Sequence, residues 1–149
     1  MDSHGAHRRC FGDGDPLMER YHDQEWGVPT HSDSDHYELL VLEGAQAGLS
    51  WKTVLHRREA YRTAFSSFDP AKVAEYTPET IDHLIADTGV IRNRRKLESA
   101  VSNARAFLKI QEEYGSFDQY IWSFVGHKPV LNEFTDWRLV PPETEVSRA

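Results

Sequence analysis

Tyr37-Glu38-Leu39-Leu40-Val41-Leu42-Glu43-Gly44-Ala45-Gln46-Ala47 is the most apolar run of the chain. His31-Ser32-Asp33-Ser34-Asp35 precedes it, a polar cluster whose short side-chain oxygens can accept from the free amides that begin a helix. Wound at helical pitch, Tyr37, Leu39, Leu40, Val41, Leu42, Ala45 and Ala47 fall on nearly all sides, which predicts an element deep in the interior. Gly48 is the expected stop, just before Trp51.

The same cap logic repeats on either side. Upstream, Asp15-Pro16 places a capping carboxylate before a proline at the first helical position, and Leu17 to Gln24 follow as about two turns. Gly27 and Pro29 then break the chain. Downstream, Lys52 to Phe65 reads as one long helix with Val54, Leu55, Tyr61, Ala64 and Phe65 inward. Asp69-Pro70 and Thr77-Pro78 each open a short helix. After Gly89, the residues Leu97, Ala100, Val101, Ala104, Phe107, Leu108 and Gln111 recur at helical spacing as far as Gly115. Ser116-Phe117-Asp118-Gln119 is a capping box for a helix carrying Tyr120, Ile121, Phe124 and Val125. Pro141-Pro142 leads to a first helical turn with Thr144 as its cap, and the chain is expected to stop where another element begins. Nothing alternates with strand period and nothing repeats. The predicted class is all-α.

The 149 residues suit one compact domain, expected over residues 10–149 behind a flexible leader of residues 1–9. The leader carries His4, His7, Arg8 and Arg9 without an apolar run, so it is not a secretory signal. No apolar stretch is long enough to span a bilayer. Cys10 is the single cysteine, which excludes an intrachain disulfide and suits a reducing cytoplasm. The net charge of −7 disfavours indiscriminate binding to phosphates. Basic residues nevertheless gather at Lys52, His56, Arg57, Arg58 and at Arg92, Arg94, Arg95, Lys96, so one basic face can still meet DNA.

Glu43 stands out chemically. A carboxylate between Leu42 and Gly44 in so apolar a helix is costly to bury unless it is paired. It is an inward glutamate held by an arginine, or lies on a narrow exposed stripe, or serves a site. Cys10 and His22 are metal-ligand types at short separation, although a solitary cysteine is more often a small buried residue.

Three segments carry a resemblance. Arg9-Cys10-Phe11 is followed by Asp15-Pro16-Leu17 and Tyr21-His22-Asp23-Gln24-Glu25-Trp26-Gly27-Val28-Pro29. Then come Leu42-Glu43-Gly44-Ala45-Gln46-Ala47-Gly48-Leu49-Ser50-Trp51 and Gly89-Val90-Ile91-Arg92-Asn93-Arg94-Arg95-Lys96-Leu97, with Trp122-Ser123-Phe124-Val125 downstream. Their order and spacing resemble the type I 3-methyladenine DNA glycosylases from Cys10 to the end of the chain.

That resemblance implies a compact helical domain related to the helix-hairpin-helix DNA glycosylases. It also implies a monofunctional enzyme of base excision repair, acting on alkylated double-stranded DNA and releasing free 3-methyladenine. Glu43 would line the base pocket, and Tyr21 and Trp51 would contact the flipped base. Trp26, Trp122 and Trp137 would serve plain packing. Phe11 lies near a family aromatic position, and Met18 stands where an aromatic is common.

Cys10 and His22 match two ligands of a structural zinc whose other two, a histidine and a cysteine near the family's C-terminus, have no counterpart after Trp137. The family's DNA-anchoring hairpin would likewise fall past Ala149, so the chain is expected to lack that portion. No lysine is placed for a Schiff base, which implies no strand-cleaving step. A cytoplasmic monomer is expected. The competing expectation is a helical remnant that keeps a base pocket but binds DNA unproductively.

Overall fold

Asp15 Oδ1 accepts from the amides of Leu17 and Met18 at 3.1 and 3.2 Å and starts α1, Pro16–Gln24. The computed structural model describes residues 9–86 and 89–149, apart from the side chain of Trp137. Ser32 caps α2, Asp33–Gln46, and Ser50 caps α3, Trp51–Leu55. α4 is Arg58–Ala64, and Asp69 caps α5, Pro70–Ala74. α6 is Pro78–Ala86, and Asn93 caps the long α7, Arg94–Tyr114. Ser116 caps α8, Phe117–Ser123. Thr144 and Ser147 form a reciprocal capping box on α9, Glu145–Arg148, so the predicted last turn is present. Short 3-10 turns occupy Ser66–Phe68 and Trp137–Leu139. No strand occurs among the described residues, and the class is all-α.

The helix predicted over Lys52 to Phe65 is two helices. At the break, side chains are drawn away in different directions. His56 Nε2 lies 2.8 Å from Asp15 Oδ2, while Arg57 donates to the carbonyl of Gly89 at 3.2 Å. Arg57 leaves helical geometry at φ −102°, ψ 1°. The inward residues were correctly assigned: Val54, Leu55, Tyr61 and Phe65 are buried.

The core forms where α2, α5 and α7 meet. Phe107 of α7 stacks on Phe117 at 4.3 Å and meets Tyr37 edge-on at 5.5 Å. The Tyr37 hydroxyl donates to the Ala100 carbonyl at 2.9 Å, so the polar end of a fully buried ring is satisfied.

The prediction that α2 is buried all round needs correction. Tyr37, Glu38, Val41, Leu42 and Ala45 are buried, while Leu40, Glu43 and Gly44 face outward. The start of α2 is clasped to α8: Asp33 accepts from Gln111 Nε2 at 2.7 Å and from the amides of Phe117 and Asp118 at 2.9 and 2.8 Å. Burial opposes the Asp33 charge, but these donors outweigh it and hold the carboxyl below its ordinary range.

Arg9 was assigned to the leader, yet it is anchored, donating to Asp23 at 2.7 Å and to Asp13 at 3.3 Å. Residues 1–8 of that leader lie outside the described residues. At the other end, α8 and the segment after it leave an apolar hollow of about 700 Å³, walled by Val28, Tyr120, Ile121, Trp122, Phe124 and Val130 among others. Among the described residues, no helix is long and apolar enough to cross a membrane.

Candidate functional site

α1, the turn after α2, and α3 converge on a second hollow of about 430 Å³. Its wall is built by Phe11, Met18, Tyr21, Trp26, Glu43, Gln46, Ser50, Trp51 and Lys52. Three sequence-predicted residues, Tyr21, Glu43 and Trp51, therefore meet in one place. They come from three different helices.

Each wall has a local cause. Gly12, at φ +93°, brings the chain so close to α1 that a Cβ there would sit 3.1 Å from Met18 backbone and side-chain atoms. That close approach lays Phe11 beside α1. Tyr21 lies three residues beyond Met18, on the next turn of α1, and its ring centroid is 5.2 Å from that of Trp51 and 6.3 Å from that of Phe11. Phe11 also meets Trp26 edge-on at 5.1 Å. The result is a cage of four aromatic rings beside one carboxylate.

Asp15 couples the two helices that supply Tyr21 and Trp51. Its Oδ1 caps α1, while its Oδ2 takes His56 Nε2 at 2.8 Å and Lys52 Nζ at 3.0 Å from the α3 side. Hydrogen bonds from His56 and Lys52 hold this carboxyl well below the usual range. Lys52 lines the hollow with its Nζ held against Asp15.

The Tyr21 phenol is pushed up, first by burial and then by the charges of Glu43 and Glu25, so it remains a neutral ring at physiological pH. The indole N–H of Trp51 is buried without a hydrogen-bond partner. Unpaired buried donors are uncommon in folded proteins, and this one stands at the wall of the hollow.

Glu43 is not enclosed by apolar side chains; it lies on the outward face of α2, facing the cage. The buried, arginine-held glutamate is a different residue of the same helix. Glu38 Oε1 accepts from Arg58 Nε at 2.5 Å and from Arg62 at 3.0 Å. Sequence reasoning missed that pair because both arginines lie on α4.

Two tryptophans assigned to packing do otherwise. Trp26 is 50% exposed and forms part of the cage. Trp122 is half-buried outside the core, donates from its indole to the Thr30 carbonyl at 2.9 Å and stacks on His31 at 4.7 Å. The side chain of Trp137 lies outside the described residues. Met18 is buried and closes one wall without an aromatic ring.

Cys10 and His22 do adjoin. The Cys10 amide donates to His22 Nε2 at 3.3 Å, and His22 Nδ1 lies 2.9 Å from Asp23 Oδ1. Both ring nitrogens are thus engaged, and among the described residues no group of three or more histidine, cysteine, aspartate or glutamate side chains is arranged to hold a metal. A closed structural zinc site takes four donors. The donors present here do not fit one.

The predicted basic residues are paired with acids in part. Lys52 and His56 pair with Asp15, Arg58 with Glu25 and Glu38, and Arg94 with Asp82 and Glu98.

Comparison with known proteins agrees with this architecture. Residues 11–149 match the family model described as methyladenine glycosylase. A DNA-3-methyladenine glycosylase of Haemophilus influenzae is 50% identical over 129 residues, covering 87% of this chain and 70% of that protein. A crystal structure of a 3-methyladenine DNA glycosylase I superposes with a TM-score of 0.89 at 41% identity, covering 93% of this chain and 77% of that one. The Staphylococcus aureus enzyme, whose structure describes recognition of 3-methyladenine, gives a TM-score of 0.78 at 44% identity. There the match covers 80% of this chain and 63% of the other. In sequence and in fold alike, this chain belongs to the methyladenine glycosylase family.

Proposed function

We propose that the protein is a monofunctional DNA glycosylase that hydrolyses the N-glycosidic bond of 3-methyladenine in alkylated double-stranded DNA. The observation that carries this reading is the Glu43 carboxylate set against the rings of Phe11, Tyr21, Trp26 and Trp51. Methylation at N3 leaves the adenine cationic while it is still joined to deoxyribose. Such a ring is drawn to a carboxylate by charge and to aromatic faces by cation–π attraction, each ring contributing about 0.5–2 kcal/mol. Ordinary adenine offers neither gain and is held more firmly in its pair and stack.

The charge also shortens the chemistry. When the bond between C1′ and the base breaks, its electron pair neutralises the departing ring, so strong acid catalysis is unnecessary. Water adds to C1′ and releases its proton to solvent. Glu43 favours the positive charge that develops on the sugar. Lys52 lines the hollow but is held by Asp15, and in this reading water rather than a lysine attacks C1′, so the abasic strand is left uncut.

The working unit in this reading is a monomer. The single cysteine suits a reducing cytoplasm. Zinc would at most bind loosely at Cys10 and His22, and elemental analysis of the purified chain should find it well below one equivalent. A stoichiometric, dialysis-resistant zinc would contradict this.

The pairing of Lys52, His56, Arg58 and Arg94 with acids favours a second reading, a base-binding remnant that does not act on DNA. One experiment separates the two. Methylated duplex DNA is incubated with the protein, and released bases and strand breaks are quantified while free 3-methyladenine is titrated in parallel. Release of 3-methyladenine without strand cleavage is the expected result. Binding of the free base without release from DNA would establish the remnant; absence of both would overturn the base pocket itself.

A further inference from the structure

The basic run Arg92 to Lys96 contains one residue that turns away from solvent. Lys96, on the first turn of α7, sends its ammonium to the far end of α2. There Nζ donates to the carbonyl of Ala45 at 2.8 Å and to that of Ala47 at 2.7 Å. These partners are 51 and 49 residues away in sequence. The last carbonyls of a helix have no acceptor role inside it and carry the negative end of its dipole. A cation seated on two of them is stabilised by both effects.

Those two carbonyls lie within the segment that joins Glu43 to Trp51. Ala47 leaves helical geometry at ψ 117°, Gly48 turns at φ +77°, and the Leu49 amide closes onto the Gln46 carbonyl at 2.7 Å. Ser50 then caps α3 and sets Trp51 on its first position. The spacing between the carboxylate and the indole therefore depends on how this turn is held. Gln46 and Ser50, at its two shoulders, are themselves part of the cage wall.

We infer that Lys96 is a positioning residue for the base pocket, fixing the Glu43–Trp51 turn through the carbonyls of Ala45 and Ala47. The inference rests on the pocket proposed above. Lys96 touches no cage atom; it acts through the backbone. Its compact ammonium can serve two carbonyls at once, and an amide or a methyl group cannot do so with charge.

The test compares wild type, Lys96→Met and Lys96→Arg by calorimetric titration with 3-methyladenine, alongside thermal melting and excision kinetics. Methionine preserves the aliphatic stem and removes the donors. Lys96→Met is expected to weaken 3-methyladenine binding by about 10- to 100-fold, the range expected for misplacing a site by roughly an ångström. Lys96→Arg, which keeps charge and donors, should recover part of that loss. If Lys96→Met does not fold, the arginine variant decides: it must bind more weakly than wild type at equal melting temperature, since its planar fork cannot reproduce the seat.

Binding by folded Lys96→Met within a factor of two of wild type would overturn the inference. So would a melting temperature that falls while affinity holds, because that marks a purely structural lysine. Failure of wild type to bind 3-methyladenine would instead sink the pocket reading.

Discussion

Glu43→Gln is expected to lower kcat/KM for 3-methyladenine excision by about 10²- to 10³-fold while leaving the melting temperature within a degree of wild type. The magnitude follows what single preorganised electrostatic groups contribute in water-poor sites. Glutamine keeps the shape and one acceptor oxygen, so the loss reports charge. Glu43 is exposed and faces the cage, and the arginines of α4 are taken by Glu38 instead, so folding does not depend on it. The affinity for neutral adenine should barely change, which makes the ratio of the two bases the sharper readout. A folded Glu43→Gln enzyme with wild-type excision kinetics would remove Glu43 from the mechanism.

Glu38→Ala should produce the reverse pattern. Removing one partner of a buried, hydrogen-bonded ion pair strands the other and costs about 3 kcal/mol. For a chain of this size that is a fall in melting temperature of about 10 °C. The Glu38 side chain is only 8% exposed and accepts from two arginines, of which Arg58 is itself 19% exposed. Glu25 still holds Arg58 at 2.8 Å, which keeps the cost from being larger. Excision per folded molecule should fall far less than in Glu43→Gln. A melting temperature unchanged in Glu38→Ala would show that the pair adds nothing to the fold.

These two glutamates mark the limit of what was legible. Caps are local, and reading Asp15, Ser32, Asp69, Ser116 and Thr144 as helix starts agreed with the structure because each needs only its own next few residues. Burial is not local. Glu38 and Glu43 are five positions apart, about 140° around the helix, and both sit among leucines and valines in the sequence. Which one faces arginine and which faces the cage is decided by α4, whose arginines stand 20 and 24 residues beyond Glu38.

Trp26 shows the same limit from the other side. Composition does not separate a tryptophan in a core from one in a ligand cage; the 50% exposure of Trp26 and its ring contacts with Phe11 and His22 do. The split between α3 and α4 was invisible for a related reason. Nothing in Lys52 to Phe65 breaks helical propensity, and the break follows the pull of Asp15 and Gly89 on His56 and Arg57. In the sequence Lys96 is one more member of a basic run, and its two carbonyl partners stand 51 and 49 residues away.

The Asp33 clasp at the head of α2 and the Lys96 seat at its foot together make that helix a beam supported at both ends. An acid mounted close to the lower support of such a beam meets an incoming purine already aimed. Association then costs little ordering entropy, and the choice between alkylated and normal bases resides in shape and charge rather than in the closing of a lid.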